Sequence, residues 1–292
     1  MNVGFVGLGT MGAPMARNLA RAGFPLAITT RTVSKAQALA EELGGGVRAL
    51  SLSELAASSE VIVTCLPDAP EVGSVLVEPG GVKESARAGT VVIDCSTIAP
   101  EAARGLAASL GGQGVSLLDA PVSGGQKGAV EGALTFFVGG EPEALEKARP
   151  VFAAMGKRVT HLGPSGAGQL GKAANQILVA NNLMAVSEAL AFAARAGLPL
   201  EALHEALTAG AANSWALEVL GRKMLARDFK PAFAVRHQQK DLAIVLRTAR
   251  ESGVPLPGVA LVHQLLGSLE AQGRGDDGTQ ALLTVYERLT GH

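Results

Sequence analysis

The chain has 292 residues, 48% of them hydrophobic, and a formal net charge of −1 at pH 7. This length and apolar content are sufficient for two domains that each bury a core of their own. A net charge near zero gives no electrostatic reason to expect nucleic acid or an anionic membrane as a partner, so both are disfavoured. Because residue 1 leads directly into a strand-like run, without a basic segment or a cleavage site, we expect a cytoplasmic protein.

The cysteine and histidine content argues against a disulfide framework and against a metal site. Cys65 and Cys95 each lie near the end of an apolar strand-like run, which is typical of buried, reduced thiols. The five histidines are scattered, and none forms a spaced pair with a cysteine or with another histidine. We therefore expect no bound metal.

The first chemical signal is a glycine-rich turn between a predicted strand, residues 2–7, and a predicted helix, residues 10–22. Gly7, Gly9 and Gly12 form the pattern G-x-G-x-x-G, which permits a tight bend, lets a pyrophosphate approach the backbone and packs helix against strand. A strand before and a helix after this pattern favour a dinucleotide site over a purely structural glycine turn. The residues between the glycines would then also contact the cofactor: Leu8, Thr10 and Met11.

The end of the second predicted strand, residues 25–30, indicates which dinucleotide is bound. An NAD site usually has Asp or Glu here to accept hydrogen bonds from the ribose hydroxyls, but this chain continues as TRTVSK from Thr30 to Lys35. Arg31 can face a 2′-phosphate with its planar guanidinium, and Thr32 and Lys35 add donors. The segment favours NADP over NAD; the alternative is that these cations are ordinary solvated charges.

Strand-like and helical segments alternate through the rest of residues 1–162. Such alternation predicts a mainly parallel, doubly wound sheet, in which ligands bind beyond the carboxyl ends of the strands. Two loops at such ends are Leu66-Pro67-Asp68 and Ser96-Thr97-Ile98, where cofactor contact competes with simple helix capping. The predicted strands are 25–30, 61–66, 91–95, 116–120 and 134–138, and the predicted helices are 36–43, 100–110 and 142–155.

A third loop, residues 119–125, has the sequence DAPVSGG. Ser123, followed by Gly124 and a second glycine, can present a hydroxyl and backbone N–H groups to one small anion. A substrate that carries a carboxylate would require such a site.

The second half of the chain, residues 163–292, is predicted to be all helical. The glycine-rich segment 163–168 marks the domain boundary. A long helix from Gln169 to Ala196 follows, and its apolar residues on every face predict a helix buried between two bodies of protein. Lys172 lies in its first turns without an acidic partner at i+4. Further helices are predicted at 200–209, 214–225, 235–252, 258–272 and 278–289.

Other polar and aromatic residues of this half have two interpretations. Lys240-Asp241 begins an apolar helical run, and an adjacent pair of opposite charges usually marks a solvated face. Trp215 and residues 229–233 can either close an apolar pocket or belong to the core. The Leu- and Ala-rich helices indicate packing against the long helix and against a second subunit.

Several strings together resemble the β-hydroxyacid dehydrogenase family, most closely the 3-hydroxyisobutyrate dehydrogenases. Their spacing extends over nearly the whole chain, and together they are more specific than the glycine pattern alone. The strings are GFVGLGTMGAPMARNL at 4–19, DAPVSGG at 119–125, GAGQLGKAANQ at 166–176, KDL at 240–242 and GRGDDGTQAL at 273–282.

The resemblance implies a Rossmann-like N-terminal domain and an all-helical C-terminal domain that helps to form homodimers or homotetramers, with the active site in the cleft between them. It makes Lys172 the catalytic lysine, and it makes Ser123 and Gly124 the residues that hold the substrate carboxylate. Lys240 would lie beside both substrate and nicotinamide, and Thr97 would contact the cofactor.

One position departs from the family pattern, in which an asparagine commonly stands four residues after the lysine. This chain has Gln176 there, with Asn175 one position earlier. Residue 176 follows Lys172 by one helical turn, so we expect Gln176 to supply the amide to the substrate, with Asn175 beside it.

The implied chemistry is oxidation of an alcohol, in which the nicotinamide accepts the hydride and a base takes the proton. Lys172, if desolvated near a positive ring, would have its pKa lowered towards the working pH. We expect NADP-dependent oxidation of 3-hydroxyisobutyrate, or reduction of methylmalonate semialdehyde. The alternatives are a short-chain reductase that acts on tartronate semialdehyde, succinate semialdehyde or glyoxylate and, from another class, a nucleotide-binding interaction module without catalysis.

Overall fold

The computed structural model describes residues 1–291; His292 lies outside the described residues. The chain divides into two compact units, of which the first comprises residues 1–172 and the second begins at Ala173. This division falls inside one continuous helix, a few residues after the glycine-rich segment 163–168 at which the sequence places the boundary.

The first unit is built on a sheet of nine strands. The order β3-β2-β1-β4-β5-β6 has every neighbouring pair parallel, which is the doubly wound order of dinucleotide-binding sheets. The mainly parallel Rossmann-like sheet expected from the sequence is therefore confirmed. The strands are β1 Val3–Val6, β2 Leu26–Thr29, β3 Arg48–Ala49, β4 Val61–Thr64, β5 Val91–Asp94, β6 Ser116–Asp119, β7 Val122–Ser123, β8 Leu134–Gly139 and β9 Gly156–Gly163.

The central strands β1, β4 and β5 are buried along their whole length. Their runs VGFV, VIVT and VVID have no polar face, as expected for parallel strands covered by helices on both sides. On one face of the sheet, Phe5 and Ile93 belong to an apolar cluster that includes Phe152. On the other face, Ile62 and Val92 belong to a second cluster. The core thus consists of two apolar layers that hold the sheet between them.

The far edge of the sheet is where structure and sequence prediction differ. β8 is antiparallel to β6 and β7 and parallel to β9. β9 was not predicted, because its exposed Lys157, Arg158 and His161 give it no apolar period. Polar side chains on an edge strand discourage pairing with other chains. β3 and β7 have two residues each and are too short to predict.

The helices of the first unit cover the sheet and include several that periodicity did not indicate. α3 has a capping box in which Ser51 and Glu54 bond each other reciprocally. The helices are α1 Gly12–Arg21, α2 Val33–Leu43, α3 Leu52–Ser58, α4 Ala69–Leu76, α5 Val82–Ser85, α6 Pro100–Gly111, α7 Gly125–Glu131 and α8 Pro142–Met155.

The described part of the second unit is helical apart from one isolated bridge between Ala234 and Gly278. Its core gathers Leu190, Met224, Leu242 and Leu266 among other apolar residues. The elements are α9 Ala167–Arg195, which begins in the first unit, α10 Leu200–Thr208, a π-helix Ala216–Gly221, α11 Arg222–Leu225, α12 Val235–Glu251, α13 Pro257–Glu270, a 3₁₀-helix Thr279–Leu282 and α14 Leu283–Leu289.

The expected burial of α9 on every side is wrong. Leu178 is 65% exposed and Phe192 is 71% exposed, so one face of the helix is open in the single chain. Trp215 is 62% exposed and is not a core residue. By length and hydropathy α9 could cross a membrane, a property that it shares with core helices of soluble proteins. Its buried polar residues, among them Ser187, argue for a protein environment instead.

Candidate active site

The glycine turn after β1 has the geometry that its sequence pattern predicts. Gly7 has φ of 100°, a conformation that favours glycine, and its N–H donates to the Thr29 carbonyl oxygen at 3.0 Å. A Cβ at Gly12 would overlap the Gly7 carbonyl oxygen. A Cβ at Gly9, in contrast, would meet no atom within 4 Å. The backbone at Gly9 is thus open to a ligand, and this space fits a dinucleotide pyrophosphate.

The segment after β2 presents its polar side chains to solvent. Arg31, Thr32 and Lys35 are exposed, and Thr30 is half-buried. The Lys35 N–H donates to the Thr32 carbonyl oxygen at 2.9 Å and starts α2. No acidic residue stands at this strand end, so a ribose phosphate would meet cations here.

The loops after β4 and β5 are tied together by one serine. The Leu66 N–H donates to Ser96 Oγ at 2.9 Å, and Ser96 Oγ donates to Asp94 Oδ1 at 2.6 Å. Pro67 is exposed beside them. From residue 91 to residue 100, Thr97 is the one residue that is not buried. The structure therefore presents Thr97 and the 66–67 segment at neighbouring strand ends.

Asp94 is a wholly buried carboxyl beneath these loops. Its Oδ1 accepts hydrogen bonds from Thr64 Oγ1 at 2.7 Å and from the Ser96 hydroxyl and N–H, whereas its Oδ2 has no hydrogen-bond partner in the described part of the chain. Burial raises the pKa of Asp94 to about 6, although the hydrogen bonds from Ser96 and Thr64 act in the opposite direction.

The loop 119–125 receives the side chain of Lys172. Lys172 is 9% exposed, and its Nζ donates to the Val122 carbonyl oxygen at 2.7 Å. Ser123 is half-buried in β7, where it pairs with Thr135 of β8. Gly124 is exposed with φ of 125°, and α7 begins at the next residue. The side chain of the predicted lysine thus reaches the short segment of the first unit that contains the predicted serine.

The first turn of α9 is held by a carboxylate from β6. Asp119 Oδ1 accepts from the Gly166 N–H at 2.7 Å, and Oδ2 accepts from the Gln169 N–H at 3.0 Å. An acid at a helix N-terminus satisfies free N–H groups and complements the helix dipole. Burial raises the pKa of Asp119, and these backbone donors oppose the rise. Asp119 therefore fixes the helix segment that carries Lys172.

In the second unit, three predicted residues meet around Asp241. Gln176 is 3% exposed, and its Nε2 donates to Asp241 Oδ2 at 2.7 Å. Asn175 Nδ2 donates to Gln176 Oε1 at 2.8 Å, and Lys240 Nζ lies 3.2 Å from Asp241 Oδ1. Asp241 is 4% exposed, so Lys240-Asp241 is not the solvated pair that charge patterning alone suggests.

Sequence reasoning missed the residues that support these groups. Asp119 and Gln169 bond partners far away in the chain, and Asp94 bonds Thr64 of a neighbouring strand as well as the nearby Ser96. Local patterns do not reveal the distant pairs. For Asp94 and Asp119 a signal existed, because a carboxylate at the end of a buried apolar strand needs hydrogen-bond donors. Within residues 1–291, no three His, Cys, Asp or Glu side chains cluster as metal ligands would.

Both units match family models. Residues 2–163 match the NAD-binding domain of 6-phosphogluconate dehydrogenase. Residues 166–286 match a model described as the NAD-binding domain of NADP-dependent 3-hydroxyisobutyrate dehydrogenase.

Individual relatives extend over the whole chain. A 2-hydroxy-3-oxopropionate reductase of Escherichia coli is 39% identical and covers 100% of this chain and 99% of its own. A probable mitochondrial 3-hydroxyisobutyrate dehydrogenase-like protein of Arabidopsis thaliana is 41% identical and covers 98% of this chain and 85% of its own. The crystal structure of a 3-hydroxyisobutyrate dehydrogenase from Salmonella typhimurium has a TM-score of 0.88 at 32% identity and covers 98% of this chain and 99% of its own.

Proposed function

Because the chain belongs to the β-hydroxyacid dehydrogenase family, whose members are NAD(P)-dependent oxidoreductases, we propose that it transfers a hydride between NADP(H) and a small 3-hydroxy acid. The first candidate pair is 3-hydroxyisobutyrate and methylmalonate semialdehyde. The observation that carries this proposal is the buried Lys172, whose Nζ donates to the loop that contains Ser123.

In the proposed mechanism Lys172 is the general acid–base. The bound nicotinamide supplies or accepts the hydride. Lys172 Nζ takes the proton of the substrate hydroxyl in oxidation and returns a proton to the developing alkoxide in reduction. The Val122 carbonyl oxygen fixes the direction of Nζ, and the hydroxyl of Ser123 with the exposed backbone at Gly124 binds the substrate carboxylate.

The proposed substrate residues of the second unit are Asn175, Gln176 and Lys240. Gln176 already uses both its Nε2 and its Oε1 within the Asp241 cluster. We therefore propose that one remaining Nε2 hydrogen of Gln176 and the Lys240 ammonium bind polar substrate groups. Because the side chain of Gln176 is longer than the asparagine that commonly stands at this position in the family, it would leave less space for the substrate.

For the cofactor, we propose that Arg31, Thr32 and Lys35 bind the 2′-phosphate of NADP, and that Thr97, Leu66 and Pro67 contact it elsewhere. The exposure of the cations and the description of the family model that matches residues 166–286 support this choice. Arg31→Ala should weaken NADPH binding about tenfold or more and leave NADH binding unchanged. Arg158→Ala, on the exposed edge strand β9, is the matched control. A tenfold preference of the wild type for NAD would overturn the assignment.

The decisive experiment combines a substrate panel with Lys172→Ala. The panel contains 3-hydroxyisobutyrate, tartronate semialdehyde, succinate semialdehyde and glyoxylate with both cofactors, and kcat/KM is measured for each. Lys172→Ala should bind NADPH nearly normally and turn over at least about a hundredfold more slowly. Lys157→Ala, an exposed lysine of β9, should behave as wild type.

The name of the Escherichia coli relative makes 2-hydroxy-3-oxopropionate, which is tartronate semialdehyde, the second candidate substrate. The highest kcat/KM in the panel decides between the two. A protein that binds NADPH and turns over no member of the panel would instead be a non-catalytic nucleotide-binding module. We further propose a cytoplasmic location and a homodimer or homotetramer.

A further inference from the structure

Gln169 is a buried glutamine to which the proposed acid–base chemistry gives no role. It is 2% exposed and lies three residues before Lys172 in α9. Its Nε2 donates to the Ser96 carbonyl oxygen at 2.9 Å, and its Oε1 accepts from the Ile98 N–H at 3.2 Å. The side-chain amide therefore bonds the backbone on both sides of Thr97.

These two bonds fix the backbone of the Thr97 loop. The side-chain amide of Gln169 uses one N–H of Nε2 and its carbonyl oxygen for these bonds, so it pairs with the loop backbone through one donor and one acceptor, as a peptide group would. Ser96 is also held by Asp94, to which its N–H and its hydroxyl donate. Thr97 is left as the partly exposed residue of a segment that is otherwise buried.

The backbone of Gln169 is hydrogen-bonded as well as its side chain. Its N–H donates to Asp119 Oδ2 at 3.0 Å, at the start of the helix that carries Lys172. Lys172 in turn donates to the Val122 carbonyl oxygen, in the segment that follows Asp119. One residue thus connects the Thr97 loop with the helical turn that holds the proposed acid–base.

We propose that Gln169 is a positioning residue, which sets the Thr97 loop at a fixed distance from Lys172. This inference rests on the proposed function, because it assumes that Thr97 contacts the cofactor and that Lys172 moves the proton. Displacement of about 1 Å between reacting groups can cost about a hundredfold in rate, so a clamp between the two elements affects turnover more than binding.

The first test is Gln169→Leu, which keeps the volume and removes both hydrogen bonds. We expect kcat to fall about tenfold or more while the KM for substrate changes less than about threefold. Gln272→Leu is the matched control, because Gln272 also donates from Nε2 to a backbone carbonyl oxygen, that of Ser268, but lies in the exposed turn that follows α13. Amide hydrogen exchange of Ile98, measured without ligands, should accelerate in Gln169→Leu and not in the control.

The second test is Gln169→Glu, which keeps the acceptor for Ile98 and makes the donor to Ser96 depend on a proton. The neutral carboxyl can still donate, whereas the carboxylate would repel the Ser96 carbonyl oxygen. Asp94 and Asp119, which bond Ser96 and the residue 169 backbone, both disfavour ionisation of this glutamate. The variant should match wild type at low pH and lose kcat as pH rises, relative to the wild-type profile.

The outcomes separate this inference from the proposed function. If Ile98 exchange accelerates in Gln169→Leu but kcat stays at the wild-type value, the positioning role is wrong. An unchanged exchange rate would equally overturn it, because the clamp would not exist in solution. If Lys172→Ala keeps full activity, the proposed function fails, whatever Gln169→Leu does. Gln169→Glu at low pH is the control for folding, because its neutral carboxyl should restore the wild-type kcat. A loss of kcat in this variant that persists at every pH would also contradict the inference.

Discussion

Gly9 and Gly12 belong to the same turn, yet they are required for different reasons. A methyl group at Gly12 would overlap the Gly7 carbonyl oxygen, so glycine is needed there for helix–strand packing. A methyl group at Gly9 would meet no protein atom within 4 Å. No contact among residues 1–291 therefore demands glycine at residue 9, whereas a bound pyrophosphate would.

Substitution by alanine should separate these two roles. We expect Gly9→Ala to keep the unfolding temperature of the ligand-free protein and to weaken NADPH binding about tenfold or more, since its Cβ enters the ligand space. Gly12→Ala should lower the unfolding temperature even without cofactor, because the backbone itself must shift. Thermal unfolding and fluorescence titration with NADPH measure the two effects. Equal loss of stability in both variants would contradict this distinction.

Asp94 should make stability depend on pH. Its pKa is about 6 in the folded protein and near 3.8 in the unfolded chain, so the native state binds its proton more tightly. Stability from this group is therefore present below about pH 4 and is lost as pH rises through about 6. Relative to Asp94→Asn, the wild type should lose about 2 kcal/mol of unfolding free energy between pH 4 and about pH 7, which is most of the total of about 3 kcal/mol expected at about 1.4 kcal/mol per pKa unit. Urea unfolding across this range measures the difference, and parallel curves would contradict it.

At the scale of elements, local patterns predicted some parts well and others not at all. The strands β1, β4 and β5 are apolar runs between glycines and turns, so their residues alone specify them. The start of α9 was expected at Gln169 and lies at Ala167, because the Asp119 carboxylate caps it from a strand 47 residues earlier. Edge strand β9 is defined by pairing with β8 and not by its own polar sequence. The start of α9 and the strand β9 thus depend on contacts between residues far apart in the chain, which local propensity does not predict.

The exposed face of α9 should join two copies of the chain. Leu178 and Phe192 are separated by about four helical turns, so both project from the same side of the helix. In a two-fold dimer the same surface of each copy meets its equivalent, so this face of α9 in one copy would cover Leu178 and Phe192 of the other. We expect Leu178→Glu to reduce the molecular mass measured by light scattering from that of an oligomer towards that of a monomer. Val33→Glu, at a comparably exposed valine of α2, should leave the mass unchanged.

At the scale of the whole molecule, the sequence predicted the class of site better than the hydrogen bonds that hold the site residues in place. The glycine turn and Lys172 stand out within short segments, and their presence together indicated a dinucleotide-dependent enzyme. The bonds from Gln169 to Ser96 and Ile98 span about seventy residues and involve side chains with no unusual local context. The cluster around Asp241 likewise joins two helices. Such pairings follow from the fold and become visible only when the chain is folded.

The first unit should need the beginning of α9 for its stability. A fragment of residues 1–163 lacks the Gly166 and Gln169 donors and leaves Asp119 buried without them. Each hydrogen bond to a charged group contributes about 1.5–3 kcal/mol, so this loss is a large part of the stability of a domain. A fragment of residues 1–176 should therefore unfold at a higher temperature than residues 1–163. Equal unfolding temperatures, measured by circular dichroism, would contradict this.

The bond between Asp119 and the start of α9 also affects the order in which a nascent chain can fold. Domains generally fold as units, with the N-terminal part first during synthesis. Here β6 leaves the ribosome before Gly166 and Gln169 do, so the Asp119 carboxylate has neither of these two hydrogen-bond donors until the later residues have been synthesised. The nucleotide-binding half can therefore reach its final state only after translation has passed the glycine-rich segment and entered the helix.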